Sequence, residues 1–184
     1  MKIVKKFGTL GMAALAIMAG ASTLMAADAS TQELRGTLPE SDYQFVKDTA
    51  RGGTTEVQLG ELAKEKALSP AIKSFGERMV ADHGKINEEL QQIVARKGAT
   101  LPTSLTRKEN RELEKLQKLS GKDFDKAYAD LMVKDHKKDL KEFQDAIKDL
   151  KDPDLRAFAQ KTLATLEQHY GMAKQMHETV KSEK

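Results

Sequence analysis

Four stretches of this chain carry apolar or small residues at alternating steps of three and four, and that rhythm constrains the fold more than any other feature. The first runs from about Asp42 to Ala67, with Phe45, Thr49, Gly52, Glu56, Leu59 and Ala63 on one stripe. The second runs from Pro70 to about Lys97, with Ile72, Phe75, Met79, His83, Ile86, Leu90 and Ile93. The third runs from about Lys122 to Leu150, with Phe124, Tyr128, Met132, His136, Leu140, Phe143, Ile147 and Leu150. The fourth runs from Pro153 to about Val180, with Leu155, Phe158, Thr162, Leu166, His169, Ala173, Met176 and Val180. Residues at this spacing share one face of an α-helix, and an apolar face must be covered. Four long helices with one such face each predict an all-α four-helix bundle over 42–181.

The punctuation agrees. Ser41 is a candidate N-cap for the first helix, and Ser69-Pro70 and Asp152-Pro153 each read as a cap followed by Pro at the first helical position. Gly98 is placed to stop the second helix. Gly52-Gly53 marks either a kink or a close approach by another helix. Residues 98–120 form the one long connection, with Thr106 as the cap of a short helix, Arg107 to Leu119. A connection of that length can cross a whole bundle, as ferritin-like folds do.

The start of the chain reads differently. Lys2, Lys5 and Lys6 precede an apolar run from Phe7 to Met18, and Ala27-Asp28-Ala29 has the form of a signal-peptidase site. Residues 1–29 are therefore expected to be a signal peptide, cleaved near Ala26 or Ala29, and the protein to be periplasmic or envelope-associated. Residues 30–41, polar and containing Pro39, are expected to be a flexible lead-in. No second apolar run follows that could span a bilayer. Cleavage after Ala26 removes three of 31 Lys and Arg and no acid, which leaves 28 against 28 Asp and Glu. A neutral chain without a basic patch argues against a nucleic-acid partner. With no Cys, stability must come from packing and not from disulfides.

Each predicted stripe carries one metal-capable side chain: Glu56, His83, His136 and His169. Glu56 lies 13 residues before the turn at Ser69 and His83 lies 14 after it. His136 lies 16 before the turn at Asp152 and His169 lies 17 after it. At about 1.5 Å per residue, each hairpin sets its pair at nearly one height. Helix bundles build metal sites in this way, and three imidazoles with a carboxylate suit zinc, copper or iron. The competing reading is a buried cluster satisfied by its own hydrogen bonds, with no metal. Asp82 and Asp135 each precede a His by one residue, about 100° round the helix, and are expected to face solvent rather than support the ligands. His177 is expected at the surface. Met79, Met132 and Met172 near the histidines are expected to be packing.

The stretches Phe45-Val46, Gly52-Gly53, Glu56, Leu59-Gly60, Met79-Val80 and Asp82-His83 resemble the exported domain-of-unknown-function family 4142. So do Leu119-Ser120-Gly121, Phe124-Asp125, Tyr128, Asp135-His136 and Thr165 to His169, which extends the resemblance over about 42–179. It implies a ferritin-like bundle in the periplasm or outer envelope, and no settled activity. Ferritin-like di-iron proteins carry Glu-x-x-His on two helices. The residues three before each core His here are Val80, Val133 and Leu166, so a di-iron oxidase is not expected. The chain contains no P-loop, dinucleotide fingerprint, zincin motif or nucleophile elbow. Two functions follow: one metal ion bound at mid-bundle for metal handling or envelope stress, or a non-catalytic structural or interaction protein with an envelope protein as its partner.

Overall fold

A computed structural model describes residues 34–182. The proposed leader and the first part of the lead-in lie outside the described residues. Among the described residues, five helices build the bundle: α1 (Glu40–Lys66), α2 (Pro70–Arg96), α3 (Arg107–Gln117), α4 (Gly121–Asp149) and α5 (Pro153–Ser182). Helices α1 and α2 form one hairpin, and α4 and α5 form the other. Among the described residues, no helix is long and apolar enough to cross a membrane.

Two buried aspartates fix how the hairpins meet. Asp42, in the first turn of α1, accepts hydrogen bonds from the backbone N–H groups of Lys151 (3.0 Å) and Asp152 (2.7 Å) in the α4–α5 turn. Asp125, near the start of α4, accepts from Leu68 N–H (3.1 Å) and Ser69 N–H (2.8 Å) in the α1–α2 turn. Each hairpin's tip is thus held by a carboxylate from the beginning of the other. At the Asp42 end, Lys97 pairs with Asp152 and Asp154, at 2.7 Å each. The order along the bundle is therefore up, down, down, up. Helices α2 and α4 run the same way, and residues 97–120 must travel the full length between them. This is the single long crossover of ferritin-like folds.

Local chemistry shapes the connection as the sequence indicates. Gly98 has φ of 67° and closes α2, with Ala99 N–H donating to Val94 O and Gly98 N–H to Ala95 O, the Schellman pattern. Thr106 and Glu109 form a reciprocal capping box at the start of α3. Leu113 and Leu116 bury the inner face of that helix. Within the first hairpin, Gly60 and Gly76 allow the closest approach. A Cβ at Gly60 would lie 2.6 Å from the Gly76 carbonyl, and a Cβ at Gly76 would lie 2.7 Å from the Gly60 carbonyl.

Three sequence expectations change. The cap of α1 is Pro39, not Ser41, because the helix begins at Glu40 and Ser41 Oγ donates to Asp42 instead. The described part of the lead-in is not a free segment. Leu38 is fully buried, Thr37 N–H donates to Lys97 O, and Thr100 N–H donates to Leu34 O. The buried face of the first half of α1 is Tyr43, Val46, Ala50 and Gly53, while Phe45, Thr49 and Gly52 turn toward a cleft. Both sets have helical spacing. Helix α1 leans on α2 rather than α4, which selects the first.

The core is split. One apolar cluster joins Val46, Leu90, Phe143, Leu155 and Phe158; the other joins Leu59, Phe75, Met79, Phe124, Met132 and Met176. Between them, each long helix places one buried titratable residue: Glu56, His83, His136 or His169.

The clamps should be worth measuring. Asp42→Ala removes two charge-assisted bonds to half-buried backbone donors, which costs about 2–4 kcal/mol. That corresponds to a fall in Tm of roughly 5–15 °C for a domain of this size. Asp125→Ala should behave alike, and the double variant should be additive, since the two sites are at opposite ends. Losses below about 0.5 kcal/mol for both, the range of an ordinary surface change, would remove the clamps from this account.

Candidate metal centre

The polar layer brings three imidazoles together. His83 from α2, His136 from α4 and His169 from α5 are all buried, and each offers a ring nitrogen within 4.8 Å of the other two. Ring centroids are separated by 6.1 Å (His83–His136), 5.3 Å (His83–His169) and 5.5 Å (His136–His169). A tetrahedral zinc ion holds its nitrogens about 3.3 Å apart, from Zn–N bonds of about 2.05 Å. Small side-chain rotations close the difference.

Hydrogen bonds fix which nitrogen is free on two of the rings. His136 Nδ1–H donates to Met132 O at 2.9 Å, one turn back on α4. Its Nε2 has no protein partner. His169 Nε2–H donates to Asp82 Oδ2 at 2.9 Å across from α2, which leaves Nδ1 unpaired. His83 Nε2 is unpaired as well. A ring that donates from one nitrogen presents a lone pair on the other, and supporting groups of this kind orient metal-binding histidines. Asp82 is itself held by Arg78 one turn earlier. The expectation that Asp82 faces solvent is therefore corrected. Its offset from His83 points it at the neighbouring helix, where α5 supplies a donor. Asp135 is half-buried, and burial, followed by the nearby Glu112, raises its pKa.

The electrostatics favour neutral imidazole. Burial, then the neighbouring His169 and His136, lowers the pKa of His83 to about 3. Burial lowers that of His169 to about 4, against the opposing pull of Asp82, and lowers that of His136 too. Burial works against the Asp82 carboxylate, but bonds from His169 and Arg78 outweigh it and keep that pKa low.

Glu56 occupies the same layer but does not join the trihistidine group. Burial, then Asp135 and Glu112, raises its pKa from 4.5 to about 8, so it carries a proton at neutral pH. One of its oxygens, Oε2, lacks a partner, as does the hydroxyl of buried Tyr128. Burial, and then Glu56, pushes Asp139 up to about 7. The spacing argument did not single out Asp139 or Glu112. Asp139 had a signal, being three residues after His136 and so on a neighbouring part of the same face. Glu112 arrives from α3, whose position no local pattern specifies. His177 lies outside the layer, with Nε2 at 2.8 Å from Asp130.

Comparison with known proteins is consistent with this architecture. The chain belongs to the DUF4142 family, described as a domain of unknown function, which matches residues 25–176. No curated protein matches the sequence. Among solved structures, a DUF305 fragment from Deinococcus radiodurans is similar, with a TM-score of 0.66 over 79% of this chain and 98% of that one. At 14% identity, this likeness shows the fold alone.

The layer predicts a two-sided pH dependence for the metal-free protein. The folded pKa of Glu56 lies above its ordinary 4.5, so its contribution is fully present below 4.5 and is lost as pH rises through about 8. The folded pKa values of His83 and His169 lie below 6.5, so their contribution is present above 6.5 and lost as pH falls through about 4 and then about 3. Urea midpoints measured against pH should fall on both sides. Glu56→Gln should flatten the alkaline side and leave the acid side in place. An alkaline side of unchanged slope would rule out Glu56 as its source.

Proposed function

We infer that this member of the family binds one divalent transition-metal ion through His83, His136 and His169. The observation that carries this reading is that three buried histidines each bring a ring nitrogen within 4.8 Å of the other two, while each ring also has an unpaired buried nitrogen. A structural polar layer should pair its own groups, because a buried polar atom without a partner costs about 1–3 kcal/mol. Here His136 and His169 each pair one ring nitrogen, with Met132 O and Asp82, and leave the other unpaired. Three neutral imidazoles are ligands for zinc, copper or iron alike. Glu56 can complete a tetrahedral set only after losing the proton that burial holds on it. Bound, the ion would supply positive charge to the layer and join three helices from both hairpins.

The same reading places the protein outside the cytoplasm. Support comes from the leader-like start of the chain and from a fold that uses no Cys. Metal handling in the envelope is the role this combination favours. The family's description offers no activity to choose beyond it.

Binding should be stoichiometric. Protein purified without an affinity tag and titrated with zinc should take up one equivalent and gain thermal stability as the free ion rises above Kd. His83→Ala and His136→Ala should each abolish that uptake. His177→Ala should not alter it, since His177 is the one histidine outside the layer. Equal binding in the His83, His136 and parent proteins would place the ion elsewhere. No uptake by the parent would leave a polar layer with a structural role.

A further inference from the structure

The bundle is not sealed along the seam between α1 and α4. Phe45 and Phe143 meet edge to face there, with centroids 5.3 Å apart. Beside that contact, a cavity of about 570 Å³ is lined by residues of the seam and also by buried His83. A hydrated divalent cation with about six waters occupies on the order of 180 Å³, at about 30 Å³ per water. The volume of the cavity exceeds that of such an ion.

The lining has one sign. Asp48, Glu109, Asp139, Glu142 and Asp145 contribute carboxylates, against one amine from Lys138. Lys138 pairs with Glu142 at 2.6 Å, and Lys141 pairs with Asp145 at 2.6 Å. Lys138 also stands 3.8 Å from Asp139, so five carboxylates share Lys138, Lys141 and Lys148, and the lining keeps an excess of acid. Low-dielectric walls bearing one sign of charge concentrate counter-ions. Acidity alone would not make this a path. The second observation is His83, only 5% exposed and carrying an unpaired Nε2, which lines the same cavity. Asp139 connects the two regions, since it lines the cavity and stands one helical turn from His136 on α4.

Gly52 stands at the open seam. It lies on the cavity wall, and a Cβ built there meets nothing within 4 Å. Glycine inside a helix costs about 1 kcal/mol relative to Ala. Its neighbour Gly53 has a packing reason, as a Cβ there would strike Asn87. Gly52 has no such contact, and a larger side chain at that position would enter the cleft.

We propose that the α1–α4 cleft is the route by which the trihistidine centre exchanges its divalent cation, with the Asp139 carboxylate receiving the ion between the acidic mouth and His83. The proposal rests on the metal-binding reading above and adds that the ion is exchangeable cargo, not a sealed structural element.

Stopped-flow uptake of cobalt(II), followed by its absorption bands, and release to excess EDTA test it in the parent, Gly52→Phe and Asp139→Asn proteins. Gly52→Phe should slow uptake and release together, by about tenfold or more, while Kd moves by less than about threefold, because a blocked path changes both rates alike. Asp139→Asn should slow uptake, and added salt should slow uptake by the parent, as screening weakens the acidic mouth. Parent-like rates in both variants would overturn the route while leaving the binding site intact. So would a Gly52→Phe protein that releases faster but loads at the parent rate, since the phenyl group would then be disturbing the ligands. Absence of any cobalt uptake by the parent would overturn the metal-binding reading itself, and the route with it.

Discussion

Burial of three imidazoles in one layer is the constraint to which the rest of the structure answers. A neutral imidazole has one donor and one acceptor, and both must be used when water is excluded. The protein supplies partners for His136 and His169 on their outer sides, Met132 O and Asp82. It supplies none for His83 Nε2, His136 Nε2 or His169 Nδ1. The desolvation that lowers the pKa of all three rings also keeps them uncharged, so the cluster does not repel itself at neutral pH. A cation shared by those three nitrogens resolves all three unpaired groups at once.

That layer can exist only if the hairpins keep their register. A shift of one helical turn would carry an imidazole about 5.4 Å along the axis and out of the group. Asp42 and Asp125 prevent such a shift by tying each hairpin's tip to the start of the other. Gly60 and Gly76 hold α1 tightly to α2, which leaves α1 turned away from α4 and the seam between them open. The close packing of one pair of helices and the cavity beside them are thus two sides of a single arrangement.

Much of this was legible in the sequence. The four long helices, their turns at Ser69 and Asp152, and the crossover with its short helix follow from local periodicity and capping residues. The common height of Glu56, His83, His136 and His169 follows from counting residues to each turn, and the split core reflects it. Rotation about the helix axis was harder to read. On α1 two stripes share the spacing of three and four, and only contact with α2 chooses Val46 and Ala50 over Phe45 and Thr49. For the same reason Glu56 reached the layer without reaching the trihistidine group. Partners distant in sequence left no local trace: Asp42 on the α4–α5 turn, Asp82 on His169, and Leu38 beneath the bundle end.

The central claim is that the three free nitrogens form one coordination site, and anomalous diffraction from a zinc-soaked crystal addresses it most directly. The account predicts one strong peak inside the bundle, about 2.0–2.1 Å from His83 Nε2, His136 Nε2 and His169 Nδ1. The use of Nδ1 on His169 is specific, because Asp82 occupies the other nitrogen. Zinc held instead by His177 and surface carboxylates, with the three buried rings unligated, would contradict it.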